Sequence, residues 1–237
     1  MFTMRKKKDG DDNPVYNTIL KYKEEFTSAA VAEDISQASR VTIPKAKLEE
    51  NVWFDPNTKQ ERHGFQISGN FMNKARPNEP DTATFSMSGY VFRYEDEKDK
   101  EGEPTGRLLV TFGAIGYNGK MNRLILIAEG TAKAHIEQNW YEEETVKVVG
   151  RINVSQKEAD IVEKSGFGES IVKPRTIPVR ELIITGGSAS SLEEELSYDK
   201  ESIKLACSER LQMIEEKKQK ETSAKGNSKA KSTDYGF

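Results

Sequence analysis

The chain has 237 residues, with 36 Lys+Arg against 39 Asp+Glu and a formal charge of −3 at pH 7, a length that holds one good-sized domain with extensions or two small ones. Hydrophobic residues make up 35% and charged ones 32%, so much of the chain must be solvated helix, loop or tail. One cysteine, Cys207, excludes an intramolecular disulfide, and with only His63 and His135 beside it there is no Cys/His zinc set.

No stretch approaches the ~18 apolar residues that a membrane span needs. Residues Met1–Asp12 run basic then acidic with no apolar core behind them, so no signal peptide is read. The expectation is a cytoplasmic protein without metal or other cofactor.

Residues 1–50 read as a flexible arm and a helix. Val15, Ile19, Tyr22 and Phe26 recur at helical spacing. From Trp53 to Thr185, short runs rich in Val, Ile, Phe and Tyr alternate with Gly, Pro, Asn and Asp clusters, the texture of strands and turns. Val52–Phe54 and Gly64–Phe71 come first, as extra N-terminal strands. Then follow Thr84–Tyr94, Arg107–Gly116, Asn122–Ala128, a short helix Thr131–Glu144, Val146–Asn153 and Pro178–Thr185. Tyr117-Asn118-Gly119-Lys120 is a strong hairpin signal. The acidic stretch Glu95–Gly106 and the stretch Gln156–Thr176 are expected to be loops. The main domain is therefore 51–186. A C-terminal amphipathic helix follows over 187–218, opened by a Ser191/Glu194 capping box. Its stripe of Leu192, Leu196, Ile203, Cys207, Leu211 and Ile214 would dock on the main domain or on a second copy of the chain, making a homo-oligomer. Residues 219–237 read as a disordered basic tail.

Three strands, a helix and two strands make the order of an OB-fold, a small five-stranded barrel whose face binds oligonucleotides. The fold class is thus mainly β, with flanking helices. The residues Leu124-Ile125-Leu126-Ile127-Ala128, Ala132–Trp140 and Thr145–Ile152, with Gly150-Arg151 inside, resemble the core of bacterial and phage single-stranded DNA-binding proteins. Val179–Ile184 stands where that family's closing strand lies. The resemblance implies sequence-independent binding of single-stranded DNA in replication or recombination, by a phage-type member acting in a bacterial host cytoplasm. It further implies that the tip Asp234, Tyr235 and Phe237 recruits replication or recombination proteins.

Single-strand binding needs cations for phosphates and flat side chains on which bases stack. Alternation puts Tyr90, Phe92 and Tyr94 on one strand face with Arg93 opposite. Arg107 opens the second strand, Tyr117 and Lys120 flank the hairpin, and Arg123 sits in the third. Lys147 and Arg151 share a face of the fourth. Phe85 and Phe112 are assigned to the core.

Enzyme chemistry finds little support. Gly166-x-Gly168 lacks a dinucleotide fingerprint's third glycine, the histidines are isolated, and the carboxylates come in solvated runs. An OB-like structural or interaction module of a phage particle is the alternative, and an RNA-binding OB protein has the same sequence signature.

Overall fold

A computed structural model describes residues 5–29, 31–55, 57–69, 71–116, 119–163 and 171–227, with backbone alone over 159–163, 171–173 and 222–227. Contacts divide the chain into two units, Met1–Glu49 with Gln66–Asp81, and Glu50–Phe65 with Thr82–Phe237.

In the first unit, helix α1 spans Pro14–Glu25. The Asn13 side chain accepts the Val15 N–H at 3.1 Å and Pro14 opens the helix, where a missing N–H costs nothing. The predicted stripe is real: Tyr22 and Phe26 meet edge to face at 5.5 Å, and the Tyr22 hydroxyl accepts the Met72 N–H at 2.9 Å. Strand β1 (Val41–Thr42) pairs with β4 (Asn73–Lys74). Arg40 binds Asp81 at 2.7 Å close by. None of this unit's described residues is buried.

Strands β2 (Ala46–Phe54) and β3 (Glu61–Gly69) form a two-stranded sheet of their own. The Asp55 carboxylate nucleates its turn by accepting the N–H groups of Asn57 and Thr58, both at 2.8 Å.

The second unit is built on β5 (Thr84–Lys98), β6 (Pro104–Ile115), β7 (Met121–Ala128), helix α2 (Gly130–Asn139), β8 (Thr145–Glu163) and β9 (Ile171–Gly187). The strands close into a barrel in the order β5-β6-β7-β9-β8. Only the β7–β9 pair is parallel, with Ile127 opposite Ile183. This is the expected OB-like barrel, with its helix between the third and fourth strands. Strand alternation supplies the core. Val91, Val110, Phe112, Leu126, Val146, Val148 and Leu182 point inward, and Ile136 and Trp140 come in from α2 and its end. The Trp140 indole N–H donates to the Ser188 carbonyl at 3.0 Å, so the core's largest side chain leaves no polar atom unpaired. Phe85 and Phe112 are both buried.

Four sequence expectations change. The acidic stretch Glu95–Gly106 is mostly strand, because β5 and β6 run on to a short turn. There Asp99 accepts the N–H groups of Glu101 and Glu103. Gln156–Glu163 and Ile171–Thr176 are strand rather than loop: β8 and β9 continue as an antiparallel ribbon out to Glu163 opposite Ile171. The described side chains at 155–158 and 174–178 are all exposed, so no buried face imposes an apolar alternation there. The capping box does not form, since Ser191 donates to Glu144 instead. Helix α3 starts at Lys200, where the Asp199 carboxylate accepts the Ser202 N–H at 2.8 Å. It ends at Asn227 rather than near 218, extending into the predicted tail. No helix among the described residues is long and apolar enough to cross a membrane.

Candidate nucleic-acid interface

The outer face of β5–β6–β7 is shaped by one extra residue. Val91 pairs with Phe112 and Arg93 with Thr111, so Phe92 is left without a partner in the ladder, a β-bulge. On the other edge of β5 the Val91 backbone exchanges hydrogen bonds with Glu143 and Glu144. Before the bulge, Tyr90 faces outward opposite Gly113 and Val91 faces the core. After it the parity reverses. Arg93 joins Tyr90 and Phe92 on the outside, and Tyr94 turns away, donating its hydroxyl to the Trp140 carbonyl at 3.4 Å. The predicted grouping of three aromatics with Arg93 opposite is thereby corrected. Gly113 makes room for the Phe92 ring, since a Cβ there would stand 2.4 Å from it.

Arg123 on β7 lays its guanidinium over Phe92, 5.3 Å from the ring centre. Ile125, two residues on, is exposed on the same side of β7. Phe92, Arg93, Arg123 and Ile125 therefore form one outward patch of ring, alkyl and cation.

Tyr90 is corrected in a second respect. It is only 6% exposed, packed with Met121 against Ile203 and Ala206 of α3, with Phe92, Ile115, Tyr198 and Cys207 around them. Tyr90 and Phe92 meet edge to face at 5.1 Å. Helix α3 is held there by Lys200 on Glu143 at 2.8 Å and by Arg210 on Glu50, at 2.7 Å from Nε and 2.5 Å from Nη2. Glu50 also accepts the Arg123 N–H at 3.2 Å and faces His63 Nδ1 at 3.2 Å. Burial pushes the Glu50 pKa up, but the hydrogen bond and charge of Arg210, with the Arg123 and His63 bonds, outweigh it. The net pKa lies below the ordinary 4.5.

The remaining predicted cations divide. Arg107 is spent inside unit 2, on Glu181 at 2.7 Å and Glu97 at 3.4 Å. Burial would raise Glu181, yet Arg107 and an Asn153 hydrogen bond hold its pKa below the ordinary 4.5. Arg93 lies 3.3 Å from Glu95. Lys147 and Arg151 stand opposite Ser88 and Thr84, on the half of β5 that pairs with β8, so the structure does not bring them to the β6–β7 side. Arg151 also reaches Glu129 at 3.8 Å. Lys120 is exposed at the β6–β7 hairpin, just after Gly119, whose φ of +72° suits a glycine turn. Tyr117, in that hairpin, and Asp234, Tyr235 and Phe237, in the tip, lie outside the described residues.

Sequence reading missed Ile125 and two exposed ribbon cations, Lys157 and Arg175. Ile125 carried no signal, because Leu124–Ala128 is apolar at every position and reads as a buried strand. The ribbon cations carried none, because their surroundings read as loop. Among the described residues no group of His, Cys, Asp and Glu is placed to hold a metal ion.

A family model, YorF, matches residues 1–220. The chain belongs to the YorF family. No match was found among curated proteins or among solved structures.

Proposed function

We propose that this YorF-family chain binds single-stranded DNA without sequence preference, on the outer β5–β6–β7 face of its barrel, during replication or recombination in a bacterial cytoplasm. The observation that carries the reading is the bulge at Phe92. It gathers a stacking ring and two guanidinium groups on the outward face of an OB-ordered barrel, which is the chemistry a single strand requires. The ribbon extends beyond the barrel with Lys157 and Arg175 exposed along it, adding phosphate contacts. The C-terminal tip remains the proposed contact for replication or recombination proteins, and no cofactor is needed.

Fluorescence anisotropy with labelled oligo-dT, the matching RNA and duplex DNA tests this. Oligo-dT should bind more tightly than duplex, and the RNA arm reports sugar preference. The logarithm of affinity should fall with the logarithm of salt by about 0.7 per phosphate neutralised. Phe92→Ala should weaken binding by about 1–3 kcal/mol. Equal affinity for duplex, or a flat salt dependence, would overturn the reading.

The interaction-module reading has its own support in the burial of Tyr90 and the pairing of Arg93 and Arg107 with carboxylates. It predicts no oligonucleotide binding at any salt concentration.

A further inference from the structure

Between α3 and the middle of β5 lies a groove of about 590 Å³, whose lining includes Tyr90, Phe92, Glu143, Lys204, Cys207 and Leu211. Its size falls within the ~300–1,000 Å³ of ligand-binding clefts. Strand β5 supplies the rings of Tyr90 and Phe92, and one face of α3 supplies the exposed Lys204 ammonium, Cys207 and Leu211. Lys200, also on its lining, is already paired with Glu143 at 2.8 Å. Lys204 makes no ion pair of its own among the described residues; the Glu143 carboxylate on the same lining is held below the ordinary range by its bond to Lys200, with help from the Lys204 charge. At the Phe92 end the groove meets the patch where Arg123 stands over the ring, so the two surfaces are continuous.

The helix is fixed in place. The Arg210–Glu50 pair that holds it has side chains only 10% and 6% exposed, and opening such a pair strands a buried charge. A strand crossing the face would therefore run along α3 without lifting it.

We propose that α3 is one wall of the single-strand track. A nucleobase enters the groove against Phe92 and Leu211, and Lys204 holds an adjoining phosphate. This rests on the binding function proposed above and adds to it a site on a helix outside the barrel strands.

Cys207, the chain's single cysteine, lines the groove half-buried and serves as the reporter. The rate at which a small thiol reagent modifies it is measured in the full chain, with and without saturating oligo-dT, and anisotropy of labelled oligo-dT runs in parallel. Bound oligo-dT should slow Cys207 modification several-fold. Lys204→Gln should weaken binding and reduce the salt slope by about 0.7, the value for one phosphate. Its Cys207 should react at the wild-type rate without DNA, showing that the helix stays packed. Binding without Cys207 protection, or with a wild-type salt slope in Lys204→Gln, overturns the proposal. Faster modification on binding also overturns it, because the helix would then be a cover that lifts. If oligo-dT gives no anisotropy change at all, the binding function itself has failed and the groove proposal falls with it.

Discussion

Glu50 is the residue through which several parts of the second unit are joined. One carboxylate takes a two-pronged contact from Arg210 on α3, a backbone N–H from β7 and a ring nitrogen from His63 on β3. Such a buried pair is weak evidence of net stabilisation, because desolvation offsets much of the attraction, but breaking it from one side is costly. Arg210→Met should destabilise the chain by about 3–5 kcal/mol in urea unfolding, leaving Glu50 buried and uncompensated. Adding Glu50→Gln should recover part of that loss, since an amide oxygen still accepts a hydrogen bond and carries no charge. No recovery in the double variant would mean that the arginine acts through packing alone. The pH dependence has a definite sign. The folded-state pKa of Glu50 is depressed, so its contribution is complete above the ordinary carboxylate value and is lost as pH falls through the lowered one. Arg210→Met should flatten that acid limb.

At the level of strands, the barrel's pairing depends on positions where a side chain cannot fit. A register shift lies between Val149 and Gly150, and a Cβ on Gly150 would stand 2.4 Å from the Ile183 carbonyl oxygen and 2.3 Å from the Phe85 ring. Backbone on one side and a buried ring on the other cannot both retreat. Gly150→Ala should therefore cost about 1–3 kcal/mol. Gly186, opposite Val149 on β9, has open space where its Cβ would be. Gly186→Ala should stay within about 0.5 kcal/mol of wild type. Equal effects in thermal unfolding would remove the steric explanation. The Gly150-Arg151 pair was visible in the sequence as part of a family resemblance, and the barrel's strand order was visible in where the helix falls. The alternation of Val146–Ile152 survives, because that strand has one face in the core, whereas Leu124–Ala128 exposes Ile125 and buries both Ile127 and Ala128. The bulge at Phe92 was not legible. One extra residue leaves composition unchanged while reversing every side chain after it, which is why Tyr94 and Arg93 exchanged faces. The ribbon was missed for the converse reason: its described side chains at 155–158 and 174–178 have no buried face to impose a pattern. The covering of Tyr90 by Ile203 and Ala206 was equally hidden, since the stripe on α3 shows that the helix docks and not where.

Across the whole chain, apolar burial is concentrated in one of the two units. Every buried residue among those described belongs to the unit built on the barrel, and none of the described residues of Met1–Glu49 with Gln66–Asp81 is buried. Helix α1 shows what this means for local stability. It has 12 residues, a capping Asn13 and a Tyr22–Phe26 contact, yet no buried side chain. An isolated helix of that length is marginal in water, so what holds α1 is its cap and a few surface contacts, among them the Met72 N–H on Tyr22, and not a core. Regions with little buried apolar surface open locally at a small fraction of the global free energy. Native-state hydrogen exchange should therefore divide the chain in two. Amides of β6, β7 and the paired part of β8 should exchange only through global unfolding, with their protection falling in step as denaturant is added. Amides of α1 and of the short β1–β4 pair should exchange orders of magnitude faster, through openings insensitive to denaturant. If α1 were instead protected to the level of β6, its apolar stripe would have to be buried in solution against something the chain alone does not provide. A second measurement at several protein concentrations then identifies self-association as the source, because protection gained from a second copy rises with concentration.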